Sequence, residues 1–336
     1  MAEKPLAPRS ILLVKTSSLG DVVHNLPVVS DLRAVFPDAA IDWVVEEALS
    51  PIPRMHPAVR RVIPLGLRRW RQSLLSAQSW REMAAFRHTL QDEAYDVVLD
   101  TQGLIKSGVV ARQARLATRG RRCGYGAEAA REGLAARFYD ARFVIPKNLH
   151  AVERNRWLAA AALGYVTDLP PDYGIAGRAA GNNAPDWLPD PAYVVLLTAT
   201  SSDDKLWPER DWRALAASLA QRGLTCILPA GTPAERQRAD HLAQGMARVR
   251  VAPPLGIAEI AGLCAGARLV IGLDTGLTHL AVALERPTLA LFSATDPQLT
   301  GAYAGESVPT RICNLGVRGA PPTAAEASAA ALELLG

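Results

Sequence analysis

A polar loop carrying a single carboxylate follows the first apolar run of the chain. The segment K-T-S-S-L-G-D at 15–21 comes directly after I-L-L-V and precedes a stretch that predicts a helix. Gly20 permits a tight turn and close approach of the backbone to a ligand. A carboxylate within hydrogen-bond reach of a hydroxyl can take its proton, so Asp21 is a candidate general base. An aspartate at a helix start is also a favoured cap, which is the structural alternative.

Two further polar loops, each after a predicted strand, suit a diphosphate. L-D-T-G-L-T-H-L at 273–280 begins a helix, and backbone N–H groups at a helix start bind anions. Asp274, Thr275 and Gly276 would begin this helix, and the hydroxyls of Thr275 and Thr278 lie near its N–H groups. His279 in the first turn could donate to a phosphate oxygen; the alternative is a well-capped helix with a buried histidine.

The segment T-A-T-S-S-D-D-K-L-W-P at 198–208 offers the hydroxyls of Thr200 and Ser201 and the charge of Lys205. A lysine beside a leaving diphosphate stabilises the negative charge that develops there. Asp203 and Asp204 could bind a metal, but capping or solvent exposure explains them equally well, so no metal site is assigned.

Glu235 lies in a fourth loop, P-A-G-T-P-A-E-R, after another predicted strand. Its carboxylate could accept hydrogen bonds from ribose hydroxyls. Stabilisation of the helix dipole by an acidic residue in the first turn is the alternative. The chain contains neither a Walker A motif nor G-x-G-x-x-G, which argues against a nucleotide phosphate loop of those types and against an NAD-dependent oxidoreductase.

Positive charge is concentrated in the first half of the chain. The net charge is only +4, yet Ala48–Arg81 contains seven arginines and no acidic residue, and Thr101–Ala127 is also acid-free. Such stretches attract an anionic partner or form a solvated basic surface. Nucleic acid is a weaker alternative, because only Trp70 and Trp80 supply aromatic rings near the arginines.

Short apolar runs alternate with amphipathic stretches in both halves, which predicts two parallel, Rossmann-like α/β domains. The predicted strands are 11–15, 40–46, 59–65, 95–100, 141–145, 192–198, 224–228, 248–251, 268–273 and 288–292. The predicted helices are 22–36, 79–93, 104–117, 128–139, 150–163, 208–222, 233–244, 257–266, 276–285 and 322–335.

The domain boundaries follow from a Pro- and Gly-rich stretch near the middle of the 336 residues. We expect an acceptor-binding domain at 1–165, a linker at 166–190, a donor-binding domain at 191–320, and a C-terminal helix at 321–336 that packs toward the first domain. Ligands of open α/β sheets bind at the carboxyl ends of the strands, so two such domains should face each other across a deep cleft.

Several segments resemble the ADP-heptose transferases of glycosyltransferase family 9, which have the GT-B architecture. They are K-T-S-S-L-G-D, I-D-W-V-V-E-E, L-R-R-W-R, D-T-Q-G-L-I-K-S, H-A-V-E-R, D-D-K-L-W-P-E-R-D-W and D-T-G-L-T-H-L. The resemblance covers most of the chain, and it favours the first lipopolysaccharide core heptosyltransferase over the second.

The resemblance implies inverting transfer of L-glycero-D-manno-heptose from ADP-heptose to Kdo of Kdo2-lipid A, the inner-core precursor. Asp21 matches the family's base, and Lys205 would receive the charge of departing ADP. The matching donor-side residues are Thr200, Ser201, Glu235, Asp274, Thr275, Gly276 and His279. The matching acceptor-side residues are Ser18, Gly20, Arg68, Arg69, Arg71, Arg131, His150 and Arg154.

The family needs no cofactor and no obligatory metal. Because the acceptor is anchored in lipid, we expect a cytoplasmic protein that contacts the inner membrane peripherally and binds no nucleic acid. The composition agrees, since the chain lacks an apolar run of the ~20 residues that span a bilayer. Its four scattered cysteines favour reduced thiols.

Overall fold

The computed structural model describes residues 7–73, 76–178, 187–188, 192–200, 202–304 and 311–336. The chain divides into a first unit, Met1–Gly174, and a second unit, Ile175–Gly336. Each contains one six-stranded sheet in which all paired strands run parallel. The two α/β domains predicted from the alternating pattern are therefore confirmed.

The sheet of the first unit has the order β3-β2-β1-β4-β5-β6. Its strands are β1 (Ser10–Val14), β2 (Ala40–Glu46), β3 (Val59–Leu65), β4 (Tyr95–Asp100), β5 (Leu116–Tyr125) and β6 (Ala141–Phe143). Its helices are α1 (Leu19–Val23), α2 (Leu26–Val35), α3 (Pro51–Met55), α4 (Leu67–Gln72), α5 (Ala77–Gln91), α6 (Ile105–Gln113) and α7 (Ala151–Leu163), with 3-10 helices at Glu47–Leu49 and Gly133–Phe138.

The sheet of the second unit has the order β12-β11-β10-β7-β8-β9. Its strands are β7 (Tyr193–Leu197), β8 (Thr225–Leu228), β9 (Val249–Val251), β10 (Leu269–Leu273), β11 (Thr288–Leu291) and β12 (Ile312–Leu315). Its helices are α8 (Glu209–Gln221), α9 (Pro233–Ala243), α10 (Ile257–Gly266), α11 (Gly276–Ala283), α12 (Pro297–Thr300) and α13 (Ala324–Leu335), with a 3-10 helix at Asp203–Lys205.

Counted along the chain, the strands of each unit have the same spatial order, 3-2-1-4-5-6, which is that of dinucleotide-binding folds. The order reverses between the first and fourth strands, β1 and β4 in one unit and β7 and β10 in the other. Loops leaving the carboxyl ends of these strands splay apart and leave a crevice for ligands. The central strands are fully buried, as expected for parallel sheets covered on both faces.

The C-terminal helix α13 belongs to the core of the second unit. Ala327, Ala331 and Leu334 are buried in the core of the second unit, where the helix packs against α8 and β11. Its buried face covers the sheet that precedes it in the chain.

Candidate active site

Asp21 lies in α1, just beyond the carboxyl end of β1, and is 9% exposed. It is the third residue of the helix, and Ser18 is the N-cap. Asp21 Oδ2 accepts a hydrogen bond from the Ser18 backbone N–H at 3.0 Å. Arg131 binds the same carboxylate through both oxygens, at 2.7 Å and 3.1 Å. Bidentate arginine–carboxylate pairs fix geometry as well as charge, so the carboxylate is held in one orientation.

The environment of Asp21 favours its ionised form. Burial alone raises the pKa of the carboxyl group, but the charges of Lys15 and Arg131 and the Ser18 amide outweigh burial and hold the pKa below its ordinary value. Asp21 is therefore a carboxylate at neutral pH, which is the form that can accept a proton.

A small pocket opens beside this carboxylate at the β1/β4 switch point of the first sheet. Its volume is about 30 Å³, room for a water molecule or two. The lining side chains come from four separate parts of the first unit and include Lys15, Asp21, Gln102, Arg131, Arg154 and Asn155. Three of these six residues are cationic, so the pocket suits an anionic group.

The β1 and β4 loops are tied to each other by Gln102, which sequence reasoning left outside the site. Its Oε1 accepts hydrogen bonds from the backbone N–H groups of Thr16 and Ser17, at 3.0 Å and 3.1 Å. Lys15 was likewise left out, as were Tyr125 and Asn155. Lys15 and Gln102 follow buried strands within polar segments, the same signal that identified Asp21.

Two other predicted acceptor-side residues are Arg154, which lies at the pocket, and His150, which lies at the start of α7. Arg154 lines the pocket, stacks over the Tyr125 ring at 5.1 Å, and donates to the Ala129 carbonyl at 2.6 Å. His150 is the N-cap of α7, and its Nδ1 accepts a hydrogen bond from the Val152 N–H at 3.2 Å.

The β1 loop contributes Ser18 and Gly20. Ser18 is exposed, and the Gly20 carbonyl accepts the His24 N–H at 2.8 Å within α1. The Ser18 hydroxyl also lies 3.3 Å from Asp21 Oδ2. The backbone at these two residues thus shapes the turn that positions the carboxylate.

The three predicted arginines of α4 are exposed but differ in their contacts. Arg69 is bound by the carboxylates of Glu47 and Glu82. In the described residues, the guanidinium groups of Arg68 and Arg71 have no such ion pair. Both arginines lie close enough to Lys106 for their charges to help burial lower its pKa. Lys106 donates to Ser17 Oγ at 2.7 Å, so this positive cluster reaches the β1 loop.

In the second unit, Asp274 follows β10 and gathers three side chains around its carboxylate. Lys205 and the Thr295 hydroxyl each donate to Oδ2 at 2.6 Å, and His279 Nε2 lies 3.6 Å from Oδ1. Burial raises the pKa of Asp274, but these three partners outweigh it and lower the pKa far below its ordinary value. Sequence analysis predicted Lys205, Asp274 and His279 and missed Thr295, which lies in the loop after β11.

Thr275 and Gly276 begin α11 as predicted. Thr275 is the N-cap in extended conformation and Gly276 is the first helical residue. The Thr278 hydroxyl donates to the Leu273 carbonyl at 2.6 Å and so fixes the turn from β10 into the helix. The first N–H groups of this helix lie at the carboxyl edge of the sheet, where anions bind.

The remaining predicted donor-side residues are Thr200, Ser201 and Glu235. Thr200 follows β7, and its buried hydroxyl has no partner among the described residues. Ser201 lies outside the described residues. Glu235 closes a capping box at α9, because Oε2 accepts from the N–H groups of Gly231 and Thr232 at 2.8 Å and 3.0 Å. Glu235 therefore does stabilise the start of its helix, and in the described residues this role uses only one of its two carboxylate oxygens.

Two candidate features are missing from the part of the chain that the structure describes. No group of three His, Cys, Asp or Glu side chains is placed to hold a metal ion. None of the described helices combines the length and the apolar character needed to cross a bilayer.

Two Rossmann-like units with polar residues at the carboxyl ends of both sheets are the architecture of GT-B proteins, and comparison with known proteins assigns the chain to the glycosyltransferases of that class. The model of glycosyltransferase family 9 (heptosyltransferase) matches residues 83–317. The chain belongs to this family, and it is therefore a transferase.

Two relatives and one solved structure show which members of the family this chain resembles. Lipopolysaccharide heptosyltransferase 1 of Escherichia coli K12 is 46% identical over 87% of this chain and 90% of its own length. The homologous protein of Pseudomonas aeruginosa PAO1, with the same name, is 45% identical over 89% of this chain and 82% of its own length. The structure of E. coli heptosyltransferase WaaC with ADP has a TM-score of 0.84 at 42% identity and covers 96% of this chain and 98% of that one.

Proposed function

We propose that this enzyme transfers L-glycero-D-manno-heptose from ADP-heptose to Kdo of Kdo2-lipid A, with inversion at the anomeric carbon. In the reaction, the acceptor hydroxyl oxygen bonds to the anomeric carbon while the bond from that carbon to the diphosphate oxygen breaks. The hydroxyl proton moves to Asp21, and ADP leaves. The first domain, 1–165, binds the acceptor, and 191–320 binds the donor.

The observation that carries this proposal is an ionised, oriented carboxylate set in a basic pocket of the first unit. Asp21 has the protonation state of a base, and Arg131 and Arg154 supply charge that attracts the anionic groups of Kdo and lipid A. A carboxylate paired so closely with Arg131 is a weak base. An acceptor carboxylate that draws Arg131 toward itself raises the basicity of Asp21 when the substrate is in place.

Support on the donor side comes from the second unit. Lys205 and the start of α11 lie at the edge of the sheet where a diphosphate would bind. The structure of E. coli WaaC with ADP-2-deoxy-2-fluoro heptose is similar to this chain at 41% identity with a TM-score of 0.81, which supports an ADP-sugar as donor. Thr200, Ser201, Glu235, Asp274 and His279 are assigned to the same donor site.

The rival within the family is an enzyme that adds heptose to an already heptosylated core. A transfer assay with ADP-heptose separates the two, with Kdo2-lipid A in one reaction and its heptosylated product in the other. We expect release of ADP with Kdo2-lipid A and little release with the product. Preferential use of the heptosylated acceptor would assign the second type of enzyme, and binding of NADH would revive the oxidoreductase alternative.

The exposed arginines of α4 give a prediction about the acceptor. Replacing Arg68 and Arg71 together by Gln should raise the KM for Kdo2-lipid A about tenfold or more, because two unpaired charges near the β1 loop are lost. ADP affinity, measured by calorimetry, should stay unchanged because the donor residues lie in the other unit. Arg69→Gln is the matched control, since its guanidinium is occupied by Glu47 and Glu82, and a similar rise in KM there would contradict the distinction.

We further place the enzyme in the cytoplasm, bound peripherally at the inner membrane. Its acceptor is anchored in that membrane, and the positive cluster of Arg68, Arg71 and Lys106 would face a negatively charged leaflet. Sedimentation with anionic vesicles, lost at high salt, tests this assignment, and equal binding to neutral vesicles would contradict it.

A further inference from the structure

Lys15 is a buried lysine on the wall of the pocket that contains Asp21. It follows β1 directly, is 4% exposed, and lines the pocket together with Asp21 and Arg131. Its backbone carbonyl accepts the indole N–H of Trp43 at 3.1 Å, which fixes the start of the side chain. A lysine is rarely buried to this extent without a partner, so its contacts indicate what it does.

The ammonium group of Lys15 is anchored by two hydrogen bonds. It donates to the Thr101 carbonyl at 2.8 Å and to Asn155 Oδ1 at 3.3 Å. Tyr125 supports this arrangement by donating its hydroxyl to the same Asn155 oxygen at 3.2 Å. An ammonium has three N–H donors, and the third has no partner among the described residues.

Charged groups from several elements act on this ammonium. Two are carboxyl groups, Asp21 in α1 and Asp100 at the end of β4, and two are guanidinium groups, Arg131 before the 3-10 helix and Arg154 in α7. Asp100 accepts the Tyr139 hydroxyl at 2.7 Å and the Gln102 N–H at 2.8 Å, and burial raises its pKa. Of the two carboxyl groups, Asp21 does more to raise the pKa of Lys15 and so to favour its protonated form.

We propose that Lys15 is a positioning residue for the acceptor: its protonated, anchored ammonium adds positive charge to the pocket beside Asp21 and draws an anionic acceptor toward the base. This inference rests on the proposed function, and it adds a residue that acts on the acceptor rather than on the donor. It implies that acceptor use depends on the protonation of Lys15.

The electrostatics of the pocket set the pH at which this dependence should appear. Burial, opposed by Asp21 and aided by Arg131, lowers the pKa of Lys15 to about 8. The ammonium is therefore present below pH 8 and lost above it. On this basis kcat/KM for the acceptor should fall as the pH rises through that value.

The test is a pH profile of kcat/KM for Kdo2-lipid A at saturating ADP-heptose, from about pH 6 to 10. For the native enzyme we expect an alkaline decline centred near pH 8. Lys15→Met keeps the length of the side chain but carries no charge. It should lower kcat/KM at neutral pH about tenfold or more and should lack the alkaline decline. Lys15→Arg stays charged throughout this range, so it should recover part of the activity and show no decline near pH 8.

Lys147→Met is the matched control, because it makes the same chemical change at an exposed lysine of the same unit. It should reproduce the native profile. An alkaline decline that persists in Lys15→Met, whatever the absolute rate, would overturn the proposal. A native profile that stays flat from pH 7 to 10 would also overturn it, and that measurement does not depend on the folding of any variant.

Failure of this inference is distinguishable from failure of the proposed function. A native enzyme that transfers heptose at neutral pH but fails the Lys15 test loses only the role of Lys15. An enzyme that transfers no heptose to Kdo2-lipid A at any pH loses the proposed function itself.

Discussion

Asp21→Asn should reduce kcat for heptose transfer by roughly 10²–10⁴ while leaving ADP affinity unchanged. Asparagine keeps the shape of the side chain but cannot take the proton of the acceptor hydroxyl. ADP affinity should be spared because the residues proposed to bind the donor belong to the second unit. Single-turnover rates and calorimetric titration with ADP measure the two quantities, and a rate within tenfold of the native value would remove Asp21 from the role of base.

A buried carboxylate elsewhere in the same unit provides the control. Asp31 in α2 is also bound by an arginine through both oxygens, with Arg156 at 2.8 Å and 3.0 Å. Asp31→Asn weakens a buried ion pair outside the pocket, so it should lower the melting temperature but keep kcat. Equal losses of kcat in the two variants would mean that the effect of Asp21→Asn is structural.

The low pKa of Asp21 adds a pH signature in acid. Because the folded pKa lies below its ordinary value, the carboxylate stays ionised in mild acid, and the stability that its ion pair contributes is lost progressively as the pH falls from the ordinary pKa through the folded pKa. Titration of Asp21 should therefore cause no decrease in kcat/KM as the pH falls from about 7 to 5. A decline in that range that disappears in Asp21→Asn would show that the pKa of Asp21 is not lowered in the folded enzyme.

The fold could be predicted from the sequence wherever buried strands read as continuous apolar runs. I-L-L-V and Y-V-V-L-L are such runs, and both became central strands. The strand β5 was missed because its sequence, L-A-T-R-G-R-R-C-G-Y, resembles a charged loop. Two of its three arginines donate to distant carbonyl groups, Arg121 to Ala162 at 2.6 Å and Arg122 to Ala111 at 3.0 Å. Local sequence gives no sign of such partners.

The edge strand β12 was missed for a related reason, since Ile312–Leu315 is short and only half-buried. Where an α-helix was predicted at 128–139, the chain forms a turn and then the 3-10 helix Gly133–Phe138. The helix predicted at 22–36 is divided between α1 and α2. Pro27 explains the second case, because proline is tolerated in the first turn of a helix and not in its interior.

The positions of the candidate site residues could be predicted better than their pairings. Polar segments after apolar strands identified Asp21, Lys205 and Asp274, because parallel strands deliver their loops to one edge of the sheet. The bidentate pair between Asp21 and Arg131 joins residues 110 apart in sequence, and no local pattern encodes it. The same holds for Thr295, whose contact with Asp274 depends on the packing of two loops.

Lys205 carries the second large effect that we expect. Its ammonium is held at 2.6 Å from Asp274 Oδ2 and is a quarter exposed, so a diphosphate at the start of α11 can reach it. As ADP departs, negative charge grows on the bridging oxygen, and a nearby cation stabilises that charge more in the transition state than in the ground state. Lys205→Met should therefore lower kcat by roughly 10²–10³ and weaken ADP binding to a smaller extent.

Thr295→Val tests whether the loss of kcat in Lys205→Met arises only because Lys205 holds Asp274 in place. The valine removes a donor to the same Asp274 oxygen but leaves the charge of Lys205 in place, so kcat should fall less than about tenfold. Presteady-state release of ADP, compared between the two variants, measures the difference. If both substitutions slow release equally, Lys205 serves to hold Asp274, and the cation that stabilises the leaving diphosphate has to be sought at another position of the second unit.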